Sequence, residues 1–525
     1  MIQLKKETLL SAGLGITLSI SLITSLFFKE PWLWMDEVLS YMLISDSSVD
    51  HLNDAVVSGM DANPPLFANI YWLIGHTVSL NPQFLRVISI VIFAFTVALF
   101  CRYVTTLIGK PVTNFILIGT IISLTYLNIS LSTQIRAYSL FLLISCGYFI
   151  VLHRLITTPN RPITLAAFGL IGVLLVLTHN FGLFYLTASG AFFALLFIWS
   201  KQRHYLVVTA MHGLILGVWL VIWYPNFVVQ TDAGRPHSWI PLPTLLTFFY
   251  TVGELAPTIS AKLERQQLFL FLPVLRFILI VGTFAYVSFS RLKNGIQAAR
   301  HDKAFMFYLL AGWIYLSTIG ISLVVSLVHT SVFISRYLWP SHLLVIYQIV
   351  YAWYFFQERW RISINWPVRR LKLIPAYLLL MAGFVFYQNQ KVILFPSAVL
   401  SYLPQLDKRY PVFVENAVYF LPIWFHDKTI KVRYLLDWET AVVENNELGA
   451  TVGHKILKSV HEKYHVANIL PAQRFNRSTA AHFYIIDEVC HYQFEHFIQT
   501  GRVHVIRQLP IRIKGHRILE CIWQS

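Results

Sequence analysis

From residue 9 to about residue 390 the chain is a series of long apolar segments joined by short polar connections. A run of roughly 20 apolar residues, folded as a helix, matches the hydrocarbon core of a bilayer. Leu9 to Phe28 is the first such run. It reads as a span rather than a removed signal, since no small-residue cleavage site follows it. Others cover about 86–107, 112–130, 135–153, 162–178, 181–199, 206–228, 266–290, 304–328, 337–356 and 373–390, which predicts about eleven transmembrane helices. A weaker stretch, Leu66 to Leu80, is interrupted by Asn69, Tyr71, Trp72, Gly75 and His76. It reads as an amphipathic helix lying in the membrane interface, a depth that suits Tyr and Trp.

Beyond residue 391 the apolar runs shorten and alternate with turns and charges. Pro411–Glu415, Lys431–Asp437, His482–Asp487 and Arg502–Arg507 read as strands. Helical stretches fall between them, at Val418–Phe425, Val452–Tyr464 and Tyr492–Gln499. Alternating strands and helices predict a small α/β domain with a mainly parallel sheet. The expected organisation is therefore a polytopic helical membrane domain at 1–390 and an α/β domain at 391–525. No GxGxxG or P-loop accompanies the latter, and no internal repeat or heptad run is present.

Composition agrees with a membrane protein. Charged residues are 13% and hydrophobic residues 56% of the chain, with a mean hydropathy of +0.60. Soluble domains carry about 25% charged residues, so a purely soluble enzyme and a disordered chain are both disfavoured. The net charge of +16 sits largely in clusters between apolar runs: Lys5/Lys6, Arg102 with Lys110, Arg154 with Arg161, Lys201/Arg203, Arg291 to Lys303, and Arg359 to Lys372. Such clusters set membrane orientation by staying cytoplasmic, and nucleic acid is not the expected partner. All six clusters fall inside when 66–80 does not cross. The N-terminus is then cytoplasmic and the C-terminal domain extracytoplasmic, in a plasma or inner membrane, and periplasmic in a Gram-negative cell. Of four cysteines, Cys490 and Cys521 lie in that domain and could pair there; none has zinc-site spacing.

With this topology the unusual polar residues collect on the outer face. The first outer loop holds Trp34-Met35-Asp36-Glu37-Val38-Leu39-Ser40 and Asp61-Ala62-Asn63-Pro64-Pro65-Leu66. Later outer turns carry Gln134, Arg136 and Tyr138, then His179 and Asn180, then Asp232, Arg235, His237 and Glu254, then Arg336-Tyr337 before Pro340. Each has a plain alternative: a solvated acidic loop for Asp36 and Glu37, snorkelling for Arg136 and Arg336, a structural role for His179, ordinary interfacial positions for Gln134 and Tyr138, and a helix start for Pro64-Pro65. Together on one face they fit transfer of a group from a lipid phosphate. Guanidinium groups suit phosphate oxygens, and an acceptor hydroxyl needs a carboxylate base. One carboxylate suffices when the leaving phosphate needs no protonation, unlike a glycoside hydrolase, where a second carboxyl acts as acid.

These residues resemble a family, the GT-C membrane glycosyltransferases, in the branch holding protein O-mannosyltransferases and the aminoarabinose transferases of lipid A. Trp34-x-Asp36-Glu37-x-x-Ser40 is similar to the first-loop acidic motif. Asp61-x-Asn63-Pro64-Pro65-Leu66 is similar to a His-Pro-Pro-Leu segment, with Asn63 where the family usually has His. Gln134-x-Arg136-x-Tyr138 and Arg336-Tyr337 resemble the Arg-x-Tyr and late Arg-Tyr motifs. The resemblance spans about 1–390. It implies a polyprenyl-phosphate sugar donor and a lipid, glycan or protein acceptor. It implies Asp36 as catalytic base, Glu37 as its positioning partner, and Arg136, Tyr138, Arg336 and Tyr337 at the donor phosphate. Asp61, Asn63, Gln134 and His179 are further candidates, and Asn63 cannot relay a proton as His could. No cofactor is implied with certainty; a divalent cation is open, and the sequence marks no metal site.

Other classes compete. A transporter or lipid flippase would show paired halves with polar groups near the membrane midplane, and neither is visible. A non-catalytic assembly subunit, or a ligase using the same lipid sugars, is separated from a glycosyltransferase by activity.

Overall fold

The computed structural model describes all residues except 1, 30, 159–160, 233–237, 259–270, 294–300, 362–371, 394–398, 445, 447, 449, 489–492 and 525. Arg235, His237 and Cys490 lie outside the described residues, as do the side chain of Asp232 and therefore any Cys490–Cys521 pairing. The chain folds as two compact units. One comprises Met1–Glu30, Asn81–Tyr224 and Leu242–Val392, the other Pro31–Leu80, Pro225–Pro241 and Ile393–Ser525.

The first unit is a helical bundle. Among the described residues, seven of its helices are long and apolar enough to cross a membrane: Lys6–Leu26, Pro82–Ile108, Tyr138–Thr157, Gly182–Ser200, Arg203–Ile222, Phe271–Leu292 and Lys303–Val328. An eighth is added if Pro111–Leu124 and Tyr126–Ser132 form one bent span. The protein is integral to a membrane. Helices Pro162–Thr178, Pro340–Arg359 and Ile374–Gln390 account for the other apolar segments but are shorter or more polar. The first helix packs on Pro82–Ile108 and on Ile374–Gln390. Gly15 permits the close approach, since a β-carbon there would lie 2.9 Å from the Ala94 carbonyl oxygen. Helix Pro340–Arg359 is central. Every residue from Leu338 to Gln348 is buried, as expected of a helix enclosed on all sides.

The segment expected as one span at 112–130 is broken. Thr125 is extended, and the two helices meet at 73°. A break inside a bundle requires its freed carbonyls to find donors. Asn128 Nδ2 donates to the Ile122 carbonyl at 3.0 Å, Thr125 Oγ1 to Ile121 at 2.8 Å, and the Thr258 amide to Leu124 at 3.1 Å. The Asn128 side chain also reaches helix Pro340–Arg359 and its approach. Its Oδ1 accepts from Trp339 Nε1 at 2.8 Å, and its amide lies 2.9 Å from His342 Nε2. The short helix after the break delivers the turn at 133–137.

The second unit is built on a six-stranded sheet of order β3-β2-β1-β4-β6-β5. The strands are β1 Val412–Val414, β2 Val432–Leu436, β3 Ile469–Pro471, β4 His482–Glu488, β5 Val503–Leu509 and β6 His516–Trp523. β1 pairs in parallel with β2 and β4, and β2 with β3, while β6 is antiparallel to β4 and β5. Helices Ala417–His426 and Thr451–Tyr464 lie in the connections between the parallel strands, as such crossovers require. Phe413, Phe475, Phe483 and Phe494 form much of the core beside Ile485 and Leu519. The first-loop helices Met35–Ile44, Val49–Ala55 and Leu66–Thr77 belong to this unit. Leu66–Thr77 has 12 residues. At roughly 1.5 Å per residue it is far shorter than a hydrocarbon core of about 30 Å.

Candidate active site

In the helical unit three distant segments gather at His179. The turn Thr133–Ala137 carries Arg136 and leads into helix Tyr138–Thr157, whose first residue is Tyr138. His179 ends helix Pro162–Thr178 in an extended conformation, just before Phe181 and helix Gly182–Ser200. Ser335-Arg336-Tyr337 precedes helix Pro340–Arg359. The His179 ring stacks on Phe141 with centroids 4.8 Å apart and meets Tyr337 edge-on at 5.2 Å. Tyr138 lies at 6.4 Å and Phe181 at 6.1 Å. The Arg336 guanidinium sits 5.6 Å from the Tyr337 ring centroid.

Positive charge surrounds the His179 ring. Burial, with Arg136 and Arg336 close enough to add repulsion, pushes the His179 imidazole down to about 3. His179 is therefore neutral near pH 7. Its Nδ1 accepts from the Phe181 amide at 3.1 Å, so the ring proton resides on Nε2. That nitrogen is buried and has no hydrogen-bond partner. Gln134 is also buried; its Nε2 donates to the Ser130 carbonyl at 2.9 Å, while its Oε1 has no partner. The His179 ring, with Arg136 and Arg336 near it, is thus lined by Tyr138, Tyr337 and Phe141. Ser335 Oγ donates to Glu254 Oε2 at 2.5 Å, fixing the chain next to Arg336. Ser335, Phe141 and Phe181 carry no motif and escape a sequence reading. Their signal is positional: Ser335 is one residue before Arg336, Phe141 three after Tyr138 and Phe181 two after His179.

The acidic candidates belong to the other unit. Asp36 and Glu37 occupy the first turn of helix Met35–Ile44, Glu37 fully buried and Asp36 partly so. Carboxylates there complement the helix dipole, worth about 0.3–1 kcal/mol each. The Trp34 indole N–H beside them is buried without a partner. Asp61 Oδ1 accepts from the Asn63 amide at 2.9 Å and from Asn63 Nδ2 at 3.2 Å. Gln230 Nε2 donates to the Asp61 carbonyl at 2.8 Å. Asp61 and Asn63 therefore build the Asx turn that leads through Pro64 and Pro65 into helix Leu66–Thr77. Among the described residues no group of three or more His, Cys, Asp or Glu side chains is arranged to hold a metal ion.

No protein-family model matches the sequence, and no curated protein matches it. Solved structures do. ArnT from Cupriavidus metallidurans in the apo state aligns over 95% of this chain and 96% of that one, with a TM-score of 0.53 and 10% identity. ArnT from the same organism bound to undecaprenyl phosphate aligns over 97% of both chains, with a TM-score of 0.48 and 12% identity. The chain has the GT-C fold of ArnT, the fold its short motifs resemble.

Proposed function

We propose that the protein is a membrane glycosyltransferase that moves a sugar from a polyprenyl-phosphate donor to a lipid, glycan or protein acceptor on the extracytoplasmic face. The observation that carries this reading is the meeting of the Arg136–Tyr138 and Arg336–Tyr337 segments at the His179 ring, with Tyr138 at 6.4 Å and Tyr337 at 5.2 Å from it. Paired guanidinium groups at the end of an apolar bundle suit a phosphate whose lipid chain stays in the bilayer. The GT-C fold supports the same reading.

In this mechanism Arg136 and Arg336 hold the phosphate, with His179 Nε2–H donating to one of its oxygens. Tyr138 and Tyr337 flank it. Asp36 takes the proton of the acceptor hydroxyl as its oxygen attacks the anomeric carbon. The bond from that carbon to the phosphate oxygen breaks, and the electron pair leaves with the phosphate. A single displacement of this kind inverts the anomeric configuration. Glu37 orients Asp36 or the acceptor. The test is to give the purified protein a panel of polyprenyl-phosphate sugars and to measure sugar transfer or release of prenyl phosphate.

A further inference from the structure

The first-loop acids and the C-terminal α/β fold share one unit, and the contacts between them are specific. Helix Ala417–His426 follows β1 and ends at His426. The Leu33 amide donates to His426 Nε2 at 2.7 Å. The Trp32 ring stacks on the His426 ring with centroids 4.9 Å apart and planes 22° from parallel. Within helix Met35–Ile44, Tyr41 meets Phe425 edge-on at 5.4 Å. Leu33 is fully buried, and Trp34 caps the helix that carries Asp36 and Glu37. Two residues, Trp34 and Met35, separate the bonded amide of Leu33 from Asp36.

The other end of the same helix is held differently. Asp46, just past Ile44, accepts from Tyr464 Oη at 2.8 Å, and His51 Nδ1 lies 2.5 Å from the same carboxylate oxygen. Lys463 pairs with Asp54 at 2.5 Å, and Ser459 Oγ donates to the Ser58 carbonyl at 2.7 Å. These contacts come from helix Thr451–Tyr464 and lie away from the acids.

We propose that His426 is a positioning residue for Asp36, so that the C-terminal α/β domain sets the catalytic geometry of the first loop. This rests on the glycosyltransferase reading and assigns the domain a role in it. An amide bonded to a ring nitrogen, with the neighbouring indole stacked on that ring, fixes the chain's entry angle. A displacement of about 1 Å at a reacting group can cost on the order of 10²-fold in rate. Tyr464 supplies the control, because it anchors the same helix at the end remote from Asp36.

Three variants of the full-length protein separate positioning from stability. His426→Ala is expected to lower kcat by about 10²-fold with little change in donor KM. His426→Gln, whose side-chain oxygen can accept from Leu33, restores most of the loss. Tyr464→Phe lowers the melting temperature but leaves kcat within about twofold. Hydrogen exchange of the peptide spanning Trp32 to Val38 gives a readout independent of turnover: His426→Ala loses protection at Leu33, and His426→Gln regains it. An active wild type matched in kcat by His426→Ala overturns the positioning role alone. An inert wild type overturns the glycosyltransferase reading and the positioning role with it.

Discussion

His179 and Tyr337, from segments far apart in sequence, meet edge to face with ring centroids 5.2 Å apart. The contact fastens the end of helix Pro162–Thr178 to the approach of the central helix Pro340–Arg359. It also brings the residue after Arg336 onto the ring that Tyr138, two residues after Arg136, meets at 6.4 Å. The Arg336 guanidinium is itself packed 5.6 Å from the Tyr337 ring centroid.

If these guanidinium groups hold a phosphate, Arg336→Ala should weaken donor binding by about 10- to 100-fold, the equivalent of ~1.5–3 kcal/mol for a hydrogen bond to a charged group. Arg136→Ala should act in the same direction. Arg336→Lys keeps the charge but not the planar fork, and should recover only part of the loss. Direct binding of a polyprenyl phosphate to each purified variant measures this. Unchanged affinity in Arg336→Ala removes that residue from the site.

His179 gives a pH prediction. Its folded-state pKa of about 3 lies below the ordinary histidine value. The unfolded chain therefore binds the proton more readily, and stability rises with pH across that interval. The His179 contribution is fully present above about pH 6.5 and is lost as pH falls toward 3. His179→Gln should flatten this part of the dependence of melting temperature on pH. A slope identical to wild type contradicts the assignment.

Asn128 tests the break that forms the Arg136 turn. Removing its side chain leaves the Trp339 indole without its acceptor and takes from the Ile122 carbonyl one of its two donors. Asn128→Ala should destabilise the bundle by about 1–3 kcal/mol. It should also weaken donor binding more than a substitution at an exposed position such as Leu170. Thermal melting and donor titration of the two variants provide the comparison.

The fold was legible where apolar length and short motifs speak plainly. The apolar segments became helices, the Arg136 and Arg336 motifs came to one place, and four of the six strands fell where alternation put them. β3 was missed because Ile469-Leu470-Pro471 is only three residues long and ends in Pro, so it reads as a turn. β6 was missed because Arg517 and Glu520 interrupt its apolar pattern. Their charges are answered only in three dimensions, Arg517 by Asp487 and Glu495, Glu520 by His482 and Arg507. The break at Thr125 was hidden for a related reason. Its polar groups are satisfied by Asn128 and Thr258, and one of these lies in a distant segment. Glu254 stood in a loop with other charges, and nothing local distinguished its bond to Ser335.

The most direct test compares wild type with Asp36→Asn in a transfer assay using polyprenyl-phosphate sugars, alongside donor binding. Asn is isosteric with Asp but takes up no proton from an acceptor hydroxyl, so turnover should vanish while expression and donor affinity hold near wild-type values. Near-normal sugar transfer by Asp36→Asn would contradict its role as the base, and no transfer by wild type from any donor would contradict the enzyme itself.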